Sequence, residues 1–315
     1  MWDIVVQIFP YAIAFTIPLL ITSLGGLFSE RSGVVNIGLE GLMVVGLFTS
    51  AIVIYYLEAT LPGTAIWLGI LAAMVGGALF AMLHAFASVH LNANQIISGI
   101  AINMIAAAAT VYLARNITGS GNIHIIRGLR RLNIPVLSDI PIVGQLFFTQ
   151  TYATTWLVFF ILAASWYLLY KMPFGLRLRA CGEHPHAADA AGINVYRVRY
   201  IAVMISGAYA GLGGATILVT YSGEFNGTVA GLGFLALASL IFGQWKPLGI
   251  LGATFFFGFA STIANVSQVI PAFSNYPGIV LKIFPYVVTL IALVLFSKSS
   301  QMPKALGEPY DKGKR

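Results

Sequence analysis

Thr64-Ala-Ile-Trp-Leu-Gly-Ile-Leu-Ala-Ala-Met-Val-Gly-Gly-Ala-Leu-Phe-Ala-Met-Leu-His-Ala-Phe-Ala87 contains no Asp, Glu, Lys or Arg. Coiled into an α-helix at about 1.5 Å per residue, a run of this length crosses the roughly 30 Å hydrocarbon core of a bilayer. Similar apolar runs recur, and they predict spans over roughly 4–24, 34–56, 64–87, 96–114, 153–170, 200–220, 229–244, 248–267 and 279–297. None shows the apolar–polar alternation of an outer-membrane barrel strand. The expected fold is therefore all-α, a polytopic transmembrane helix bundle of about nine spans, with eight to ten allowed.

Composition points the same way. Of 315 residues, 58% are hydrophobic and 9% charged, whereas a soluble domain needs about 25% charged residues to cover its surface. No linker divides the chain, so residues 1–315 read as one transmembrane domain, ending in a flexible tail from about 299 to 315. Pro10 and Pro18 fall inside the first span and predict a kink or break there. The stretch from about 115 to 150 is too polar and too rich in Gly and Pro to span, and is expected to hold a short surface helix or a re-entrant piece.

A net charge of +7 on a soluble protein would suggest nucleic acid as a partner. Here the basic residues sit between apolar runs, where topology explains them, so no nucleic acid is expected. Lys171, Arg177, Arg179, Arg197 and Arg199 place the 171–199 loop in the cytoplasm. Arg31, Lys246 and the C-terminal tail then fall on the same side, with the N-terminus outside. Arg115, Arg127, Arg130 and Arg131 run against this assignment. The N-terminus lacks the basic start of a cleavable signal, so the first run is expected to be retained. Cys181 is the only cysteine, which rules out an internal disulfide. No Gly-x-x-x-x-Gly-Lys-Ser/Thr loop is present to hold the phosphates of ATP. No nucleophile–base pair and no metal-ligand spacing stands out either, so neither catalytic nor metal-binding residues are expected.

A few polar residues lie inside the spans. Glu40 and Asn36 share a helical face if the second run is helical throughout. A carboxylate is costly in lipid, so Glu40 should face the bundle interior. It either lines a pathway or accepts hydrogen bonds from a neighbouring helix. Asn103, in the fourth span, either meets a polar solute or ties helices together. Asn36, Glu40 and Asn103 are thus the candidate pathway residues. Gly207, Gly211, Gly213 and Gly214 form a small-residue stretch suited to close helix crossing. Glu224 and Asn226 are expected in a short external loop.

The 171–199 loop carries the clearest local signal. Pro185 suits the first turn of a helix and Gly192 the position just past its end. Ala187, Ala188, Ala190 and Ala191 lie between them, which gives a short helix with a small-residue surface. Glu183 precedes it, where the helix dipole favours negative charge. So short a helix is not stable alone and needs a partner surface; the alternative is an ordinary alanine-rich connection.

Glu183, Ala187, Ala188 and Gly192 resemble the Glu-x-x-x-Ala-Ala-x-x-x-Gly coupling motif of ABC importer permeases. Gly25–Gly41, with Ser29-Glu-Arg-Ser-Gly-Val-Val-Asn-Ile-Gly-Leu-Glu-Gly41 at its centre, resembles a block of the permease branch that serves simple sugars, nucleosides and branched-chain amino acids. Asn94–Asn103 and Gly231–Gly249 resemble two further blocks in the same order, and the likeness is nearest to the nucleoside, guanosine-type subgroup. The resemblance implies a non-enzymatic permease subunit of the bacterial or archaeal cell membrane, with no cofactor of its own. It implies three protein partners: an ATPase subunit that binds the ATP, a second permease in a heterodimer, and an extracytoplasmic solute-binding protein. It also implies that Glu183, Ala187, Ala188 and Gly192 couple to the ATPase. Uptake of a simple sugar or branched-chain amino acid remains open, and a secondary transporter or channel is the more distant alternative.

Overall fold

A computed structural model describes residues 2–266 and 301–313, together with Ile283 and Val287. The chain begins with α1 (Trp2–Arg31), α2 (Leu39–Leu57), α3 (Ala65–Ala85) and α4 (Gln95–Thr118). A strand β1 (Ile123–His124) follows, then α5 (Ala153–Lys171), α6 (Pro173–Glu183), α7 (Pro185–Ala190) and α8 (Val195–Ile217). Strand β2 (Glu224–Phe225), α9 (Leu232–Phe242) and α10 (Pro247–Val266) complete the described elements. Among the described residues, seven helices are long and apolar enough to cross a membrane.

These helices match the expected runs with two differences. α1 is one unbroken helix through Pro10 and Pro18. The two prolines each remove one helical bond, and burial of the flanking residues against α8 and α10 holds the axis together. The run over 229–244 is not a full helical crossing. Its helix, α9, has 11 residues, about 16 Å at the α-helical rise, preceded by irregular backbone. The expected span over 279–297 lies outside the described residues.

Apolarity on all sides is what allows this bundle. α8 lies at its centre, packed against α1, α2 and α3. α3, α4 and α5 turn large apolar side chains outward, among them Leu79, Met104 and Phe160. In water that surface would be costly; in hydrocarbon it is the natural solvent-facing side. Helix contacts in lipid gain little from apolar transfer and depend on close packing. The small-residue stretch of α8 supplies it. A Cβ on Gly77 of α3 would lie 2.2 Å from the Gly207 carbonyl oxygen, and one on Gly214 would lie 2.0 Å from that of Met43 on α2.

The helix directions define two ends. At one, β1 pairs antiparallel with β2, with Ile123 opposite Phe225 and His124 opposite Glu224. The His124 Nδ1 to Glu224 Oε2 distance is 3.0 Å. The 115–150 region lies at this end. It holds the strand, a Leu132–Thr151 bridge and a short π-helical turn over Gly144–Phe148. At the other end lie α6, α7 and the α9–α10 turn. The C-terminal segment expected to be flexible is docked there: Pro303, Ala305 and Tyr310 are buried against the body of the protein.

Gly77→Val is expected to lower stability by about 2 kcal/mol, since overpacking at a backbone-to-backbone crossing forces the helices apart. Thermal unfolding of the detergent-solubilised protein checks this, with Met104→Val on the outward face of α4 as the variant expected to leave the midpoint unchanged.

Candidate functional site

Between α1 and α2 the chain leaves helical geometry from Ser32 to Gly38. Arg199 Nε on α8 donates to the Ser32 carbonyl at 3.2 Å, and Asn36 Nδ2 donates to Ser206 Oγ on the same helix at 2.9 Å. Arg199 and Ser206 are about 10 Å apart along the helix axis, so the linker, which turns over Ser32–Val34 before running on to Asn36, is tied to α8 at two levels. It therefore lies inside the bundle beside α8.

Irregular backbone at that depth needs partners from the protein. Val35 N–H donates to Gln95 Oε1 at 2.7 Å, and the Val35 carbonyl meets His84 Nε2 at 2.9 Å. His84 must carry its proton on Nε2 to donate to a carbonyl, so its Nδ1 accepts from the Ser98 hydroxyl at 2.9 Å. Asn36 Oδ1 accepts from Gly38 N–H at 3.1 Å. From α4, Asn103 donates to the Ile37 carbonyl at 3.0 Å and accepts from Gly41 N–H at 2.7 Å. Thus Asn36 and Asn103, both candidate pathway residues, spend their amides on the linker and the first turn of α2.

Glu40 accepts hydrogen bonds from the start of α9, as its structural reading expects. Its carboxylate accepts from Gly231 N–H at 2.9 Å and from Gly233 N–H at 2.7 Å. A short helix exposes unpaired N–H groups and a positive dipole end at its N-terminus, and Glu40 caps both. The other end of α9 is held as firmly. Gln244 and Trp245 follow it with φ of 51° and 52°, a left-handed turn that is unfavourable for side chains of this size. Trp245 Nε1 donates to Glu30 at 2.6 Å. Its carbonyl accepts from Arg31 Nε at 3.2 Å and Nη2 at 2.8 Å.

Arg31 also faces the 171–199 loop, with Nη1 3.9 Å from Glu183 Oε1. Glu183 ends α6, and α7 begins at once with Pro185 in its first turn. The His184 side chain caps α7 by accepting from Ala187 N–H at 3.2 Å, a role the sequence reading did not assign to it. Gly192, just past the helix, has φ of 82°, as the Pro-to-Gly spacing requires. Ala187, Ala190, Ala191 and Gly192 are exposed, whereas Ala188 and Pro185 are buried. Ala188 therefore seats the helix on its own chain, and Ala187 belongs to the outward surface.

The C-terminal segment braces this arrangement. Ala305 N–H donates to the Gly182 carbonyl at 2.9 Å and Gly307 N–H to that of Gly33 at 3.1 Å. Arg199, 1% exposed, donates from Nη1 to the Glu308 carbonyl at 3.1 Å. The Tyr310 ring packs on Tyr196 of α8 and His186 of α7, with centroids 5.3 and 5.2 Å away. Lys312 Nζ lies 4.0 Å from Asp189 Oδ1 on α7.

Glu40→Leu strands two N–H groups and is expected to cost about 2 kcal/mol or more, with Glu40→Gln losing roughly half as much. Thermal unfolding of the purified protein measures both. Cys181, in α6, is fully buried, and burial pushes its thiol up to about 11. Between pH 7 and 8 it stays protonated and inaccessible, so maleimide should label it only after denaturation.

Residues 8–294 match the family of branched-chain amino acid transport system permease components. The chain is 47% identical over 310 residues to the guanosine ABC transporter permease protein NupQ of Bacillus subtilis (strain 168), covering 98% of this chain and 97% of that one. It is 42% identical over 301 residues to the nucleoside ABC transporter permease protein NupC of Lactococcus lactis subsp. cremoris (strain MG1363), covering 95% of each. It is 34% identical over 256 residues to a putative glucose ABC transporter permease protein of Haloferax volcanii, covering 79% of this chain and 74% of that protein. With a bundle of apolar spans, no catalytic cluster among its described residues and this likeness over nearly its whole length, the chain belongs to the family of branched-chain amino acid transport system permease components, as a multi-pass ABC transporter permease rather than an enzyme.

Proposed function

We propose that this chain is one of two different permease subunits of an ABC importer that takes up nucleosides. An ATPase subunit binds and hydrolyses the ATP, and an external solute-binding protein delivers the cargo. The end of the bundle that carries α6 and α7 faces the cytoplasm, and the N-terminus of α1 lies outside. Glu183, Ala187, Ala188 and Gly192 form the coupling element. Ala187 and the backbone at Gly192 meet the ATPase, Ala188 anchors the helix, and Glu183 ties it to Arg31. Asn36, Asn103 and Glu40 shape the pathway wall by fixing the linker and α9.

The observation that carries this reading is the outward face of α7. It is a short, doubly capped helix with exposed alanines, rooted in the bundle through Ala188, Pro185 and Tyr310. Small side chains let a partner groove approach closely. A helix of this length is not stable alone. For the cargo, the support is the 47% likeness to a guanosine permease along almost the whole chain. The partial likeness to a putative glucose permease keeps a simple sugar as the second reading.

Coupling requires contacts that differ between two states of the ATPase. Ala187→Arg is expected to abolish co-purification of the ATP-binding subunit while leaving the thermal midpoint of the permease unchanged, because Ala187 points outward. Vesicles holding the complete importer should take up labelled guanosine only with ATP. Guanosine uptake by this chain without an ATPase subunit would refute the assignment, and glucose uptake in place of guanosine would select the second reading.

A further inference from the structure

The structure contains a second break in helical backbone at depth, and unlike the linker it is not covered by the described residues. Phe225 of β2 packs on Phe48 of α2, with ring centroids 5.4 Å apart. Gly231 is bonded to Glu40, at the start of the same helix. Phe48 and Glu40 are separated by about 12 Å along α2, so residues 226–231 run down the inside of a membrane-spanning helix while themselves non-helical. Gly227, Ala230 and Gly231 have φ of 83°, 55° and 82°, which rules out a helix through them.

The side chains of this segment are Asn226, Thr228, Val229 and Ala230. Val229 is buried, whereas Asn226, Thr228 and Ala230 are exposed. Asn226 Oδ1 accepts from Thr228 N–H at 3.4 Å and Thr228 Oγ1 from Ala230 N–H at 3.0 Å, and among the described residues neither the Asn226 amide hydrogens nor the Thr228 hydroxyl proton meets an acceptor. No described protein group donates to the carbonyls of Asn226, Gly227, Thr228 or Ala230. Lipid cannot meet these needs. Non-helical backbone at membrane depth persists only where protein buries it or where it lines a water-filled path, and half-helices preceded by unwound backbone are where transporters hold their solutes.

We propose that residues 226–231 form a cargo-contacting wall of the translocation path, with Asn226 and Thr228 as hydrogen-bonding residues selective for a neutral, hydroxyl- and amide-bearing solute such as a nucleoside. This inference rests on the importer reading above and narrows its cargo. The selectivity follows from Glu40. An unoccupied N-terminus on α9 would attract a carboxylate or phosphate, but Glu40 already holds the Gly231 and Gly233 N–H groups and adds its own negative charge. An anionic cargo group is therefore disfavoured at this point, and so is the carboxylate of an amino acid. A neutral solute instead finds a mixed set of donors and open carbonyls. Phe234 follows in α9 with half its surface exposed, an aromatic face suited to a nucleobase.

The test uses the complete importer in vesicles, with Asn226→Cys and Thr228→Cys introduced singly. The native Cys181 is buried and serves as a silent background. Met104→Cys, on the outward face of α4, is the lipid-facing control. A charged, membrane-impermeant methanethiosulfonate reagent should modify positions 226 and 228 but not 104. Saturating guanosine should slow that modification by about fivefold or more, because an occupied path leaves few sites open to the reagent, and leucine should have no effect. Thr228→Ser keeps the hydroxyl and should retain the guanosine KM, whereas Thr228→Val should raise it about fivefold. Positions 226 and 228 as inert as 104 would overturn the proposal, because the segment would then be covered. Modification unaffected by guanosine would overturn it too, by showing an aqueous surface away from the cargo. If the unaltered importer transports no nucleoside, the cargo reading fails instead, and protection by leucine would reverse the charge argument.

Discussion

The backbone from Ser32 to Gly38 leaves helical hydrogen bonding inside a bundle surrounded by lipid, and the larger buried polar side chains His84, Gln95 and Arg199 are arranged around that fact. Each unpaired peptide group there would cost about 1–3 kcal/mol. The chain answers with Gln95 and His84 on Val35, Asn103 on Ile37, Asn36 on Gly38, Arg199 on Ser32 and Gly307 on Gly33. These donors and acceptors come from α3, α4, α8 and the C-terminal segment. The linker is therefore the point at which elements far apart in the chain are held to one geometry. The close crossing of α8 on α2 and α3 is its counterpart: glycines bring the helices near enough for short side chains such as Ser206 to reach the linker.

The same economy explains α9. An 11-residue helix cannot span a bilayer, and its two ends would be liabilities in hydrocarbon. The chain closes one with Glu40 from α2 and the other with Glu30 and Arg31 from α1. Because Glu30, Arg31 and Glu40 flank the linker on either side, the unwound segment and the half-helix form one mechanical unit. A shift of the linker must carry α9 with it, or break charge-assisted bonds that are stronger than neutral ones.

Much of this was legible in the residue order, and the parts that were not share a cause. Spans such as Ala65–Ala85 and Ala153–Lys171 follow from uninterrupted apolarity, which depends on nothing but the segment itself. Helix α7 follows from Pro185 and Gly192 for the same reason, since capping is local. The shortness of α9 was hidden because the stretch over 229–244 is as apolar as its neighbours; what stops the helix is positive φ at Ala230 and Gly231 and a carboxylate from far up the chain. For Glu40, Asn36 and Asn103 the chemistry was clear but the partner was not, since an amide that meets a solute and one that meets a carbonyl look alike in sequence. The tail misled for a related reason. Its composition is that of a flexible end, and only the distant Arg199, Tyr196 and Gly182 give it a seat.

That seat bears on how force travels through the molecule. Helix α7 is too short to act as a lever by itself, but it is fastened in three directions: Glu183 to Arg31 of α1, Tyr310 to Tyr196 of α8, and Gly182, through Ala305 and Gly307, to Gly33 of the linker. Cβ geometry reinforces the last of these, because Gly182 lies against the Arg31 carbonyl so closely that any side chain there would collide with it. A push on α7 is thus delivered to the start of α8, the end of α1 and the base of the linker together. Packed interfaces of this kind do not deform gradually; they move as bodies between discrete arrangements. The soft points are then the places where the backbone is not helical and not fully bonded, and among the described residues the clearest is 226–231. Under the proposed importer reading, motion that begins at α7 and passes through the braced linker has its outlet there, at the segment the described residues leave open to polar contact.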